Sequence, residues 1–296
     1  MEQPLVSIVT ITRNRGNMLK RCIESVLSQT YYNIEHIVVD GASDDNTDEV
    51  IDGIKDERLK FHKLDYNWPL HETSAFAYSL CNGKYITFLD SDDEYLPTKI
   101  EKEVNLIESL PEDYGFVYCW MTYYDSSRNA FDHLHNPQLR GFVKDEVVVE
   151  PIITGTPTLL FRLDFFRSFG GWKSRDEIGI ASDWEMCARA CQQSKVDYVP
   201  ESLVNVYVNH GSERQSDNSN YNKEACKRLL KFHHHFLSQF SENFKRHPES
   251  AYYHFYFISL YNYKLHNYRE GFKFLIKAFL SNPNATIRRI IKKNDK

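Results

Sequence analysis

Aspartates cluster where apolar runs of the sequence end. Asp40 closes one such run, Asp-Ser-Asp-Asp at positions 90–93 closes another, and Asp183 follows a Gly-Gly-Trp break at the start of a predicted helix. Closely spaced carboxylates raise one another's pKa values unless a positive charge lies among them. Hard oxygen ligands of this kind suit Mg²⁺ or Mn²⁺, which usually take one or two carboxylates together with substrate phosphates.

An Asp-x-Asp pair alone is a weak signal, because aspartate is also common in turns and at helix N-termini. Here the pair directly follows the apolar run Tyr-Ile-Thr-Phe-Leu at 85–89, and Asp40 closes an earlier strand in the same way. This placement favours a divalent-metal site over a simple turn.

The elements that position these residues alternate between β-rich runs and helical patterns. Strands are predicted at 5–11, 35–40, 59–64 and 85–90, with helical spacing between them. Strands that are apolar along their whole length and alternate with helices predict a parallel sheet covered on both faces. The right-handed crossover rule makes this half a doubly wound, nucleotide-binding type of sheet, whose ligands bind at the carboxyl ends of the strands.

After residue 90 the pattern becomes mixed. It predicts helices over 98–110 and 183–193, strands over 116–123 and 203–209, and shorter, antiparallel strands over 143–149 and 158–161. From residue 221 the signals are helical, with further helices near 251–265 and 268–280. We therefore expect one α/β domain at 1–220 and a helical, basic, aromatic-rich region at 221–296.

Two side-chain patterns mark the helical region. Phenylalanines recur at i+4 spacing at positions 232, 236, 240 and 244, which is typical of helix packing. Three adjacent histidines, 233–235, point in different directions on a helix and cannot chelate one ion together. The histidine run is therefore predicted to be helix surface.

Composition excludes several classes of protein. Hydrophobic residues make up 42% and charged residues 26% of the 296 residues, which excludes a disordered chain. The longest apolar run, 116–121, is far shorter than the roughly 18 residues of a membrane helix, and the N-terminus lacks signal-peptide features. The six cysteines include no CxxC pair, so we expect reduced thiols in an intracellular protein.

The formal net charge of −5 conceals two regions of opposite sign. Residues 222–296 hold 15 Lys and Arg against 5 Asp and Glu, a net +10, which leaves −15 for the first 221 residues. An acidic body argues against nucleic-acid binding, which relies on cationic contacts to phosphate. It remains compatible with an anionic diphosphate bound through a divalent ion. The basic region suits an anionic lipid or acceptor, or is a solvated helix face.

Several motifs together resemble the family-2 glycosyltransferases of the GT-A fold. They are TITRNR at 10–15, IESVLSQT at 23–30, VVDGASDDNT at 38–47, GKYITFLDSDD at 83–93, GGW at 170–172 and SDWE at 182–185. They occur in the family's order and at its usual separations over about residues 4–210. The resemblance implies a GT-A doubly wound, mainly parallel sheet, with a nucleotide-binding half, a smaller mixed acceptor half and here a C-terminal helical extension.

The resemblance also implies roles for the donor site. The loop after the first strand, with Thr10, Arg13 and Asn14, lines the nucleotide pocket. Asp40 hydrogen-bonds the pyrimidine base, and Asp45 fixes its own loop near the nucleoside.

For the reacting groups, the resemblance implies that Asp90 approaches the ribose or the metal, that Ser91 binds the nucleotide, and that Asp92 coordinates Mn²⁺ or Mg²⁺ on the diphosphate. It makes Asp183 the catalytic base. His210 stands where a histidine sometimes completes the metal site in such enzymes, although a lone histidine at a strand end is more often structural.

Three features depart from the family pattern. Ser182 replaces the acid that often precedes the base. Ser74 and Ala75 stand where an Arg-Asn pair commonly meets the donor, which puts that contact in doubt. The Gln/Arg-rich Trp motif of processive members is missing after Asp183, so the sequence favours transfer of a single sugar.

The resemblance thus implies an inverting, metal-dependent transferase that uses a UDP- or dTDP-sugar and a saccharide or lipid-linked saccharide acceptor. Such chemistry belongs to bacterial surface polysaccharide or glycolipid synthesis. Its alternatives are a nucleotide-sugar-binding protein without transferase activity and a nucleic-acid or scaffold protein acting through the basic region. The basic stretch at 287–293 further predicts a cytoplasmic protein that contacts the inner face of the membrane peripherally.

Overall fold

The computed structural model of the protein describes residues 3–211 and 222–294. Its first four strands are β1 (Val6–Thr12), β2 (Ile34–Asp40), β3 (Leu59–Lys63) and β4 (Tyr85–Phe88). They pair in parallel in the order β3-β2-β1-β4. Because the chain leaves β1 for β2 on one side and reaches β4 on the other, the loops after β1, β2 and β4 meet at one edge of the sheet.

Three helices lie between these strands, and a fourth follows them in the chain. They are α1 (Gly16–Leu27), α2 (Thr47–Asp52), α3 (Leu70–Ser79) and α4 (Lys99–Ser109). On α1, the buried residues Leu19, Cys22, Ile23 and Val26 follow the helical period and cover the sheet. The parallel, doubly wound half predicted from the sequence is therefore confirmed.

Beyond β4 the sheet is mixed. Its strands there are β5 (Glu94–Tyr95), β6 (Tyr114–Asp125), β7 (Ala130–His135), β8 (Leu159–Arg162) and β9 (Lys195–Val208). β8 runs antiparallel to both β4 and β6, whereas β6 and β9 are parallel. β5 is antiparallel to β9, and β7 is antiparallel to β6. A short helix α5 (Leu163–Ser168) follows β8.

The chain forms two compact units. The sheet unit comprises residues 1–143, 154–172 and 189–212, and the helical unit comprises 144–153, 173–188 and 213–296. The remaining helices are α6 (Arg175–Ile178), α7 (Ser182–Cys191), α8 (Lys223–Gln239), α9 (Ser241–Arg246), α10 (Tyr252–Lys264), α11 (Tyr268–Ser281) and α12 (Pro283–Asn294). In the described part of the chain, no helix combines the length and hydropathy needed to cross a bilayer.

The helical unit has an aromatic core built around Trp184. The Trp184 ring lies 4.5 Å from that of Phe236 and 5.3 Å from that of Phe232, and it stacks on His254. The predicted phenylalanine stripe is packing, because all four members are buried, but only Phe232 and Phe236 lie on α8; Phe240 follows its end and Phe244 lies on α9. His233 belongs to the same core, since it is buried and its Nδ1 lies 3.0 Å from Nδ1 of His254. The prediction that the whole histidine run is helix surface is thus wrong for His233.

The strand predicted at 143–149 is also wrong, because residues 144–149 form turns. Val147 and Val148 are buried, which accounts for the apolar pattern, but their carbonyl groups do not pair with another strand. The Val147 carbonyl accepts from Trp184 Nε1 at 2.6 Å, and the Val148 carbonyl pairs with His254 Nε2 at 2.9 Å. Side chains thus provide the hydrogen bonds that buried backbone requires.

Candidate active site

The loops after β1 and β2 are fastened to each other. The Asn14 amide donates to Ser43 Oγ at 2.8 Å, and the Asp44 amide donates to Asn14 Oδ1 at 3.0 Å. Asn14 has a φ of 51°, a left-handed conformation that asparagine tolerates better than most residues. The Arg13 side chain is exposed beside it. The two polar loops predicted to surround the nucleotide therefore form one connected rim.

Gly16 and Asp45 make a second connection between these loops. The Gly16 amide donates to Asp45 Oδ2 at 2.9 Å, and Thr47 donates to Oδ1 through its amide and its hydroxyl. Desolvation raises the pKa of Asp45, but the hydrogen bonds from Thr47 and Gly16 outweigh it and hold that pKa below its usual value. A Cβ at Gly16 would come within 2.9 Å of the Thr47 nitrogen, so a side chain there would separate the loops.

Two of the predicted nucleotide residues are buried. The Asp40 carboxylate accepts from the amide of Ser43 at 3.0 Å and from the hydroxyl of the same residue. Thr10 Oγ1 donates to the Leu89 carbonyl at 2.8 Å, so its contact with His36 Nε2 at 2.9 Å must be donated by the histidine. Thr10 thus supports the floor of the site, and its contact with a nucleotide stays a prediction.

The acidic turn after β4 is the most buried part of the candidate site. Ser91, Asp92 and Asp93 are each at most 2% exposed, whereas Asp90 is exposed. The Asp93 amide donates to the Asp90 carbonyl at 2.9 Å, and Asp93 Oδ1 accepts from the Tyr207 amide at 3.0 Å. The turn is therefore held against β9 by its own third aspartate, Asp93.

Two arginines and a histidine surround Asp92. Arg15 Nη1 lies 3.1 Å from Asp92 Oδ1, and His210 Nε2 lies 2.9 Å from Asp92 Oδ2. Arg21 donates to the Asp92 carbonyl at 2.5 Å, and its guanidinium lies 3.7 Å above the Tyr207 ring. A buried carboxylate requires such partners, because desolvation penalises an isolated charge severely.

Asp92 and His210 offer a carboxylate oxygen and an imidazole nitrogen side by side. The carboxylate suits both Mn²⁺ and Mg²⁺, and the imidazole suits Mn²⁺ once Nε2 gives up the proton that it shares with Asp92. Among residues 3–211 and 222–294, no three His, Cys, Asp or Glu side chains form a group able to hold a metal. An ion here would thus take its remaining ligands from a diphosphate and water, as Mg²⁺ commonly does. The donor set therefore fits the predicted cation.

Asp183 lies in the first turn of α7 in the helical unit and is half-buried. Its neighbour Trp184 is fixed in the aromatic core. Glu185 is fully buried, with Lys173 Nζ at 3.6 Å and His235 Nε2 at 3.4 Å from its carboxylate. The two residues that follow Asp183 are thus anchored, which fixes the backbone of the predicted base within its own unit.

Sequence reasoning missed Arg15, Arg21 and Ser43 as site residues. Arg15 lies within the quoted motif at 10–15, and Ser43 within that at 38–47. Ser74 is buried and donates to the Leu70 carbonyl at 2.7 Å, while Ala75 is exposed. Neither side chain replaces the positive charge of the arginine that many family members have at this position.

Comparison with known proteins identifies the family. The profile described as "Glycosyl transferase family 2" matches residues 7–168, more than half of the chain. The chain belongs to this family. The matched segment of this family-2 glycosyltransferase contains the loops after β1 and β2 and the acidic turn, and it ends before Asp183.

Characterised and uncharacterised relatives agree with that assignment. An uncharacterised glycosyltransferase of Rickettsia typhi is 28% identical over 206 residues, which cover 68% of this chain and 63% of the relative. The UDP-Glc:alpha-D-GlcNAc-diphosphoundecaprenol beta-1,3-glucosyltransferase WfaP of Escherichia coli is 39% identical over 105 residues, 36% of this chain and 42% of WfaP. The chain therefore spans less than two thirds of the length of these relatives.

Solved structures share the fold of this family-2 glycosyltransferase. Staphylococcus aureus TarS 1–349, in complex with UDP-GlcNAc, matches with a TM-score of 0.67 at 14% identity over 95% of this chain and 82% of its own. The mannosyltransferase PcManGT of Pyrobaculum calidifontis, in complex with GDP-Man and Mn²⁺, matches with a TM-score of 0.62 at 14% identity over 100% of this chain and 81% of its own. The predicted GT-A fold is confirmed.

Proposed function

We propose that the protein moves one sugar, with inversion, from a nucleotide-diphosphate sugar to an acceptor hydroxyl. The observation that supports this most is the buried carboxylate of Asp92, held between Arg15 and His210 at the carboxyl edge of the parallel strands. Family membership supports the same reaction class. A non-processive reaction is proposed because the Gln/Arg-rich Trp motif is missing from the sequence.

We propose that Asp92 and His210 hold a Mn²⁺ or Mg²⁺ ion against the donor diphosphate. When bound, the ion neutralises charge that develops on the departing nucleoside diphosphate. Arg15 already lies 3.1 Å from Asp92 Oδ1, so it orients this carboxylate. Asp90, exposed at the mouth of the turn, and Ser91 are proposed to approach the nucleotide.

The donor is proposed to be a UDP- or dTDP-sugar. Asp40 would accept from the pyrimidine base, and Thr10, Arg13, Asn14 and Asp45 would form or support the surrounding rim, as the family resemblance implies. The name of WfaP gives UDP-Glc as its donor, and TarS was solved with UDP-GlcNAc, which supports a uridine donor here. The GDP-Man complex of PcManGT is the reason to include a GDP-sugar in the test.

Asp183 is proposed as the base that takes the proton of the acceptor hydroxyl while the new bond forms. Such a group must come within hydrogen-bond reach of the proton that it removes, and proton transfer of this kind contributes about 10²–10⁴-fold to a rate. Attack from the face opposite the leaving group inverts the anomeric configuration. Asp183 is half-buried in the first turn of α7 and not enclosed in the core of its unit.

The wider setting is proposed from the sequence and the relatives. We propose a saccharide or lipid-linked saccharide acceptor, a role in bacterial surface polysaccharide or glycolipid synthesis, and a cytoplasmic location at the inner membrane face. The division of labour into a transferase domain at 1–220 and a basic helical region at 221–296 is proposed likewise.

The test combines a donor panel with one substitution. UDP-, dTDP- and GDP-sugars are first compared by thermal shift with Mn²⁺, and the best donor is then used to measure nucleotide release. Asp183→Asn should lower turnover by about 10²–10⁴-fold and leave nucleotide affinity unchanged. Asp176→Asn, an exposed carboxylate of α6, is the matched control.

Near-full turnover of Asp183→Asn would show that the base is wrongly assigned. Donor binding without any turnover in the unsubstituted protein would instead favour the alternative, a nucleotide-sugar-binding protein that lacks transferase activity.

A further inference from the structure

Exposed large apolar side chains are concentrated in one stretch of the helical unit. Of 13 such residues among those that the structure describes, 8 lie between residues 268 and 291. They are Tyr268, Phe272, Ile276, Phe279, Leu280, Ile287, Ile290 and Ile291, with exposed fractions from 41% to 75%. Isolated exposed apolar residues are ordinary, but a contiguous group usually marks an interaction surface.

On α11 these residues form a row along one side of the helix. Tyr268, Phe272, Ile276 and Leu280 follow one another at i+4 spacing. The opposite side contains Gly271, Phe274 and Ala278, all buried, and packs within the helical unit. The apolar row is therefore not part of the core that stabilises α11, and folding alone does not explain it.

A second row on α11 is basic. Arg269, Lys273 and Lys277 are exposed, and each stands one position after a member of the apolar row, so the two rows lie side by side. Residues 268–294 contain seven Lys and Arg against a single acidic residue, Glu270, a net +6. An apolar strip bordered by cations is typical of a helix that lies in the interface of an anionic bilayer.

We infer that α11 is the membrane-contacting element of this protein and that its occupant is the surface of an anionic phospholipid bilayer. This inference rests on the peripheral membrane contact that is part of the proposed function. It assigns that contact to the apolar row of α11 as well as to the basic stretch at 287–293. Phe272, Ile276 and Leu280 enter the headgroup region, while Lys273 and Lys277 remain at the level of the lipid phosphates.

Charge distinguishes the bilayer from a second copy of the chain. A symmetric dimer through this face would bring Arg269, Lys273 and Lys277 of one copy toward the same residues of the other. Like charges at such distances repel. An anionic lipid surface instead complements all three, with each cation near the surface strengthening binding by about fivefold.

The experiment is cosedimentation of the full chain with two kinds of vesicle, phosphatidylcholine alone and an equal mixture with phosphatidylglycerol. The unsubstituted protein should bind the anionic vesicles at least about tenfold more tightly than the neutral ones. The triple variant Phe272→Ser, Ile276→Ser, Leu280→Ser should bind at least about tenfold more weakly. The double variant Lys273→Gln, Lys277→Gln should bind anionic vesicles about 20–30-fold more weakly and show less salt dependence.

Matched controls come from the sheet unit. Phe131 and Phe142 are as exposed as Phe272, and Lys20 and Lys60 are exposed lysines of the sheet unit. Their serine and glutamine variants should bind vesicles like the unsubstituted protein. Nucleotide affinity, measured without vesicles, should be the same in all variants because none alters the donor site.

The inference is overturned if the unsubstituted protein does not bind anionic vesicles, or if the triple variant binds them as tightly as the controls do. It is also overturned if the triple variant changes a dimer into a monomer on a sizing column while vesicle binding is unchanged. A protein that binds vesicles but no nucleotide would refute the proposed function and leave this inference standing.

Discussion

His254 makes the stability of the helical unit depend on pH. It is fully buried, and its Nε2 lies 2.9 Å from the Val148 carbonyl, which can only accept. Nε2 therefore carries the proton, and Nδ1 accepts from Nδ1 of His233 at 3.0 Å. Burial lowers the pKa of His254 from 6.5 to about 4, because a buried imidazolium would lose its hydration. Burial also lowers the pKa of His233 well below 6.5.

The sign of the effect follows from proton uptake. Below pH 6.5 the unfolded chain binds a proton at His254, whereas the folded chain does not until the pH approaches about 4. The stabilising contribution is thus fully present above pH 6.5 and is lost as the pH falls toward 4. With these two pKa values, linkage gives a loss of about 2 kcal/mol for this one residue at pH 5.

The perturbation is His254→Gln, whose amide can still donate to the Val148 carbonyl but does not titrate. The assay is urea unfolding at pH 7.5 and pH 5.0, read by hydrogen exchange of peptides from α8 and α10 so that the helical unit is followed by itself. Between the two pH values the variant should lose about 2 kcal/mol less stability than the unsubstituted protein.

His71→Gln replaces an exposed histidine of the sheet unit and serves as the control. It should keep the pH dependence of the unsubstituted protein in the α8 and α10 peptides. Equal losses of stability in His254→Gln and in the unsubstituted protein would refute the assignment of the acid sensitivity to this buried histidine.

Three further substitutions test the packing of the two units. Gly83→Ala should lower the free energy of unfolding in urea by about 1–3 kcal/mol, because a Cβ there would lie 2.7 Å from three backbone atoms. Gly53→Ala meets only ordinary contacts and should leave the stability unchanged, so equal effects of the two variants would contradict the geometry. Lys99→Met removes the partner that lies 2.7 Å from the buried Glu103 carboxylate and should lower the free energy of unfolding by about 3–5 kcal/mol. Adding Glu103→Leu should restore most of this stability, and a double variant as unstable as Lys99→Met would exclude the ion pair as the cause. Phe236→Ala should lower the stability of the helical unit by about 3–5 kcal/mol, measured by the same hydrogen exchange, and a loss below about 1 kcal/mol would place Phe236 outside the core.

The parallel half of the fold is predictable because its signals are local. Each strand is an apolar run, each helix has its own period, and the aspartates at 40 and 90–93 follow strands directly. The position of a loop at the carboxyl end of a parallel strand then follows from topology alone. These features need no knowledge of which distant residues meet.

The partners of Asp92 could not be predicted in the same way. The family resemblance suggested His210, which lies 118 positions after Asp92 and contacts its carboxylate. Arg15 and Arg21 come from the start of the chain, and only the folded sheet brings Arg15 to the carboxylate and Arg21 to the carbonyl group of Asp92. Nothing in the local pattern distinguishes these residues from solvated cations, which is the more common state of an arginine.

Two errors have a related cause. The valines at 147 and 148 led to a predicted strand because they are apolar and β-branched. In the structure, however, side chains of α7 and α10 hydrogen-bond to their carbonyl groups. His233 reads as surface because histidine is usually exposed or half-exposed, yet His254 lies 21 positions away and completes its hydrogen bond. Both depend on tertiary contacts that override local preference.

The central claim is that the acidic turn binds a nucleotide diphosphate through a divalent ion held by Asp92. Calorimetric titration of UDP into the protein, with Mn²⁺ and then with EDTA, tests it directly. We expect UDP to bind at least about tenfold more tightly with Mn²⁺ than with EDTA. Asp92→Asn should abolish this difference in affinity. Asp44→Asn, which alters an exposed carboxylate of the neighbouring loop, should retain it. Equal affinity with and without Mn²⁺, or an unchanged manganese advantage in a folded Asp92→Asn protein, would contradict it.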